Sequence, residues 1–161
     1  MTIPATWEPL TDEDPVLTIA QDLFTTMIDG EPGHLYAWTG EPPVLEDPSY
    51  AWVDVSGPVE TRVMLVTGRT TGEHLTRALL AMDESDVVSD ADFADAIGEM
   101  ANVVGGNVKS LVTNPGALSI PVVTHREPDM SHDVCLLETY FGWRGAPLGV
   151  SLWAITRKHG L

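Results

Sequence analysis

Residues 92–111 read DFADAIGEMANVVGGNVKSL. Wound at about 3.6 residues per turn, this stretch puts Phe93, Ile97, Met100, Val104, Val108 and Leu111 on one face. Asp95, Glu99, Asn102, Gly106 and Lys109 fall on the opposite face, at spacings of four, three, four and three. An apolar stripe facing a polar one is the pattern of a helix laid on a core. The glycines are harder to account for. Gly98, Gly105 and Gly106 all sit inside the helix, each costing about 1 kcal/mol against alanine. They lie on the polar half with Glu99 and Asn102, which calls for another backbone to come close there. A neighbouring helix of the same chain satisfies that need. So does a docking partner that reads the carboxylate and the amide between small residues.

The flanks give this helix its ends and its neighbours. Ser89-Asp90-Ala91-Asp92 is a capping sequence, and Asn114-Pro115-Gly116 forbids continuation. Upstream, Thr70-Thr71-Gly72-Glu73 reads as a capping box for a second helix with Leu75, Leu79 and Met82 turned inward. Residues 49–55 and 60–66 are rich in strand formers and are separated by Ser56-Gly57-Pro58, which predicts a hairpin. A first helix is expected from about Pro15 to Asp29, with Asp14 as its cap and Val16, Ile19, Leu23 and Met27 as its stripe. Residues 31–48 hold many prolines and glycines and read as irregular or as one short strand. Downstream, residues 118–124 form a further strand, and 133–143 with 148–156 a long hairpin around Arg144-Gly145-Ala146-Pro147. The sum is an α+β fold, a single domain over residues 1–161, with a mainly antiparallel β-sheet and long helices packed on one face.

Charge and composition narrow the function. The chain has 161 residues and a net charge of -16, which argues against nucleic acid and anionic membrane surfaces as partners. The lone cysteine, Cys135, sits in an apolar run and reads as a small core residue. Residues 1–10 lack a signal-peptide pattern and no apolar run approaches membrane-spanning length, so a cytoplasmic location is expected. His34, His74, His125, His132 and His159 are scattered, with no helical pair at metal spacing. His125 and His132 flank a loop with Asp129 and Asp133, but ordinary surface histidines are the expected reading and no metal is assigned. Residues 67–72 hold glycines before a helix without the lysine of a phosphate-binding loop.

The segment from Gly98 to Ser110 resembles the active-site helix of the CheX-type chemotaxis phosphatases, relatives of CheC and FliY. Their signature is Asp or Ser, three residues, Glu, two residues, Asn, and Asp95, Glu99 and Asn102 match it in order and spacing. Leu118-Ser119-Ile120-Pro121-Val122-Val123 resembles the strand that follows, including its proline, and residues 22–27 resemble the first helix more weakly. CheC carries two copies of the motif. Here the second helix has Glu73 but places Thr76 where the asparagine should be, so one site per protomer, as in CheX, and a homodimer are implied.

The resemblance implies a phosphatase acting on the aspartyl phosphate of a CheY-like response-regulator receiver in two-component signalling. Asn102 would orient the attacking water, and Glu99 would pair with the receiver's lysine. Asp95, Gly98, Gly106 and Lys109 would meet the partner. No cofactor is expected in this chain, Mg²⁺ being held by the receiver's own carboxylates. The alternative is a non-catalytic receiver-binding adaptor with the same fold. The net charge would slow association with an acidic receiver at low salt unless basic groups such as Lys109 steer it.

Overall fold

The computed structural model describes residues 14–112 and 114–156. The signal-peptide reading of residues 1–10, and His159, lie outside the described residues. Helix α1 spans Pro15–Leu23, strand β1 Leu35–Ala37, β2 Pro48–Val55 and β3 Thr61–Gly68. Helices α2 (Arg69–Leu79) and α3 (Asp90–Lys109) follow, then β4 (Val122–Thr124), β5 (Val134–Trp143) and β6 (Ala146–Ala154). The strands form one sheet in the order β1-β5-β6-β3-β2-β4, and every neighbouring pair is antiparallel. The fold is α+β, as expected.

Alternation along the strands sorts the two faces of the sheet. Ala51 and Val53 of β2 stand opposite Leu65 and Val63 of β3, which stand opposite Val150 and Leu152 of β6. These six side chains join Phe93, Ile97, Met100, Val104 and Val108 of α3 and Leu75 of α2 in the buried core. Tyr50, Trp52, Val66, Tyr140 and Trp153 occupy the other face and stay half-buried. Cys135 pairs with Trp153 on that face and is half-buried, not a core residue. Burial, reinforced by Glu138, pushes its thiol pKa up, which keeps the group protonated and unreactive.

Capping explains the helix starts. Asp14 accepts from the backbone N–H groups of Val16 and Leu17, and Pro15 takes the first turn, where a missing N–H costs nothing. Ser89 accepts from Asp92 N–H at 3.1 Å. The capping box at 70–73 does not form. Helix α2 begins earlier, at Arg69, with Gly68 as its N-cap and no side-chain cap bond. Strand β3 runs straight into it, so Thr70 and Thr71 are already helical and Thr71 is buried.

Two helices end differently from expectation. The first runs as α-helix only to Leu23 and continues as a π-helical turn over Phe24–Asp29, ended by Gly30 at φ 72°. The buried stripe of the helix is Val16, Ala20, Leu23 and Phe24, while Ile19 lies at the edge. Helix α3 stops at Lys109, before Leu111 and well before Asn114. The chain turns there so that Val112, not Leu111, enters the core. Downstream, only 122–124 of the expected strand over 118–124 pairs continuously, because Pro121 has no N–H to give the ladder. Leu118 makes a single bridge to Val55. The long hairpin closes on the two residues Arg144 and Gly145, both at positive φ, the backbone such a tight turn demands.

Candidate functional site

The solvent face of α3 carries the expected residues. Asp95, Glu99 and Gly106 are exposed, and Asn102 and Lys109 are half-buried. Because α3 is held along its opposite side by the core, this face has a fixed direction. The side chains of Asp95, Glu99 and Asn102 make no hydrogen bond or ion pair among the described residues. The contrast with Asn107 further along the helix is direct, for its amide donates to Val103 C=O at 2.8 Å and so belongs to the helix itself. A carboxylate and an amide three residues apart therefore share this face, neither side chain using its hydrogen-bonding capacity among the described residues.

The glycines separate into two kinds. Gly106 is exposed, and a Cβ there would meet nothing within 4 Å. Gly98 and Gly105 are buried. At Gly105 a Cβ would collide with Val53 of β2. At Gly98 it would reach Pro121 and Val123 at 3.4 Å, which is ordinary contact. The close approach inferred for these two positions is thus made by this chain's own strand and loop. Gly98 faces Pro121 and Val123 from within, so it is not available as an outer docking position.

The covering segment was not legible as part of the site. Leu118 lies against Gly105, and Pro121 and Val123 lie against Gly98, so residues 118–123 run antiparallel to α3 along its flank. Asn102 falls between those two glycines on the helix and thus borders this wall, while Glu99 points away from it. The wall is pinned to β2. Ser119 N–H donates to Asp54 C=O at 2.8 Å, and Ser119 Oγ accepts from Asp54 N–H at 2.8 Å. The one available signal was Pro121, which breaks an otherwise strand-like run.

A second copy of the site is not built. Thr76 is buried and its hydroxyl donates to Gly72 C=O at 2.7 Å, while Glu73 pairs with Arg69. Among the described residues no group of three or more His, Cys, Asp or Glu side chains is placed to hold a metal ion. His125 instead shares a 2.7 Å hydrogen bond with Ser49. No helix among the described residues is long and apolar enough to cross a membrane.

Comparison with known proteins shows the family and the fold. Residues 49–135, more than half of the chain, match the family described as chemotaxis phosphatase CheX, and the chain belongs to that family. The fold is shared with the CheX protein of Desulfovibrio desulfuricans (TM-score 0.59, 17% identity, covering 86% of this chain and 95% of that one). Vibrio vulnificus CheX is similar too (TM-score 0.64, 14% identity, 89% of this chain and 98% of that one). A third is the Borrelia burgdorferi CheX–CheY–BeF₃–Mg²⁺ complex (TM-score 0.62, 16% identity, 89% of this chain and 96% of that one). Among curated protein sequences there is no match.

Proposed function

We propose that this chain removes the phosphoryl group from the aspartyl phosphate of a CheY-like receiver domain. The observation that carries the reading is the projection of Glu99 and Asn102 from one helix face with no partner among the described residues. Membership of the CheX phosphatase family supports it, as does the fold shared with a relative that forms a complex with CheY.

An aspartyl phosphate is an acyl phosphate, so the catalyst supplies position and charge more than covalent chemistry. Asn102 enters the receiver's site and its carboxamide holds a water in line with the phosphorus. The water oxygen bonds to phosphorus as the acyl P–O bond breaks. The receiver's aspartate leaves as carboxylate, and the water's proton passes to phosphate or solvent. The amide has no titratable group, so this role persists across pH. Glu99 pairs with the receiver's lysine through a charge-assisted bond. Mg²⁺ is held by the receiver's own carboxylates. Asp95, Gly106 and Lys109 line the contact around this pair.

The test is loss of phosphate from receivers of the same cell, each phosphorylated with a small-molecule donor. Asn102→Ala is expected to abolish turnover and leave binding of the BeF₃⁻-activated receiver largely intact. An Asn102→Ala protein as fast as the parent overturns the mechanism. A parent that binds a receiver without hastening phosphate loss is the adaptor instead.

The chain is further proposed to pair with itself. The long β5–β6 hairpin lies inside the sheet order, but β1 covers β5 only at 141–143. Residues 134–139 of β5 have no strand on their outer side among the described residues. Such an edge is a template for a second strand. A light-scattering mass equal to one 17.4 kDa chain counts against the dimer.

A further inference from the structure

We propose that the cleft between α2 and the β5–β6 turn binds a small organic anion, a carboxylate or phosphate ester carried on a compact apolar body. The cleft shares no residue with the exposed face of α3, so the inference stands apart from the phosphatase reading.

The cleft holds about 390 Å³, within the size range of small-molecule sites. Thr71, His74 and Ala78 form one side, at the three- and four-residue spacings that put them on one face of α2. The β5–β6 turn forms the other, through Trp143, Arg144 and Ala146. The chain leaving α2 folds back at the end. Met82 N–H donates to Arg77 C=O at 2.9 Å, and Met82 and Glu84 complete the wall.

Two observations give the chemistry. The first is charge. Lys and Arg number only 8 in a chain of net charge -16, and Arg77 and Arg144 both line this cleft. Arg144 is matched by the buried Asp29, so it adds an oriented donor more than net charge. Arg77 is different. Its Nε donates to Asp86 C=O at 3.0 Å, which sets the guanidinium in place, and it makes no ion pair among the described residues. A guanidinium so held offers its remaining N–H groups to an oxyanion. The one carboxylate in the wall, Glu84, is exposed, where water weakens its field.

The second observation is Thr71. It is only 8% exposed, and its hydroxyl makes no hydrogen bond among the described residues. Thr76 on the same helix is buried as well, but donates to Gly72 C=O. Buried hydroxyls are ordinarily paired, so one left over in the wall of a cationic cleft points to a ligand oxygen as its partner. His74, exposed and also without a partner among the described residues, adds a ring nitrogen. Ala78, Met82, Trp143 and Ala146 then accept a hydrocarbon body, which an inorganic ion could not use.

Titration of the full chain, followed by amide NMR shifts, tests this with phenyl phosphate and benzoate as probes and with inorganic phosphate and benzyl alcohol as partial ligands. Both organic anions should shift residues 71–84 and 143–146, and the tighter of the two names the headgroup. Each should bind at least about tenfold more tightly than benzyl alcohol, and phenyl phosphate about tenfold more tightly than inorganic phosphate. Arg77→Gln should raise Kd about tenfold. Thr71→Val should raise it about threefold while the thermal midpoint holds or climbs, because an unpaired buried hydroxyl is removed. Arg126→Gln, an exposed cation outside the cleft, should change nothing. Absence of shifts in the cleft with both organic anions overturns the inference. So does benzyl alcohol binding as tightly as benzoate, or a Kd unchanged in both Arg77→Gln and Thr71→Val.

Discussion

Val53 of β2 fills the space that a methyl group at Gly105 of α3 would need. Helix propensity would reward alanine there by about 1 kcal/mol, but overpacking a rigid strand costs about 1–3 kcal/mol. Gly105→Ala should therefore lower stability by about 1–2 kcal/mol, read as an earlier urea midpoint. Gly106→Ala has open space around it and should raise stability by up to about 1 kcal/mol. Equal shifts of the same sign for the two variants would contradict the packing described.

Glu99 has no partner among the described residues, so removing it costs the fold nothing while its proposed contact is lost. Glu99→Ala should weaken receiver binding by about 1.5–3 kcal/mol if the lysine contact is desolvated, leaving the thermal midpoint in place. The parent's affinity should fall with added salt more steeply than the variant's. Titration calorimetry at two ionic strengths checks both points.

Asp29 ends the π-helical turn with its side chain only 1% exposed, accepting from Trp143 Nε1 at 3.1 Å and from Arg144 Nη2 at 2.9 Å. Asp29→Ala strands a buried indole N–H and should cost about 2–3 kcal/mol. Arg144 is 57% exposed, so Arg144→Ala should cost no more than about 1 kcal/mol. Chemical denaturation of the two variants gives the comparison, and a larger loss for Arg144→Ala would refute it.

Tyr50 and Tyr140 share the sheet face away from the helices, and burial raises both hydroxyl pKa values above the ordinary value of 10.0. Nearby Glu127 adds to this at Tyr50, and Glu138 at Tyr140. A raised folded-state pKa means that the neutral phenol is favoured by folding. Its stability contribution is complete below the unfolded value and is lost as pH climbs through the folded one. Stability should thus decline above about pH 10, and Tyr140→Phe should flatten that decline. An unchanged alkaline limb in the variant would assign the loss elsewhere.

What the amino-acid order revealed was whatever repeats locally. The β2–β3 and β5–β6 hairpins announce themselves by alternation and turn residues, and α3 by Ser89 and its stripe. Those features depend on neighbours within a few positions. The covering of Gly98 and Gly105 depends on residues 118–123 folding back onto the helix, and no local period encodes that return. The π-helical turn was invisible for a similar reason. Its extra residue per turn suits the packing of Phe24 against Trp143, far along the chain (ring centroids 5.7 Å apart). At the site, the outward pair Glu99 and Asn102 was legible from spacing, while the wall beside it was not.

The anchoring of Ser119 to Asp54 has a mechanical consequence. The position of the wall beside α3 is set by its two bonds to β2, a paired strand of the sheet, and not by a hinge. A visiting protein meets a mould that is already cast, so discrimination among visitors falls on their own shape.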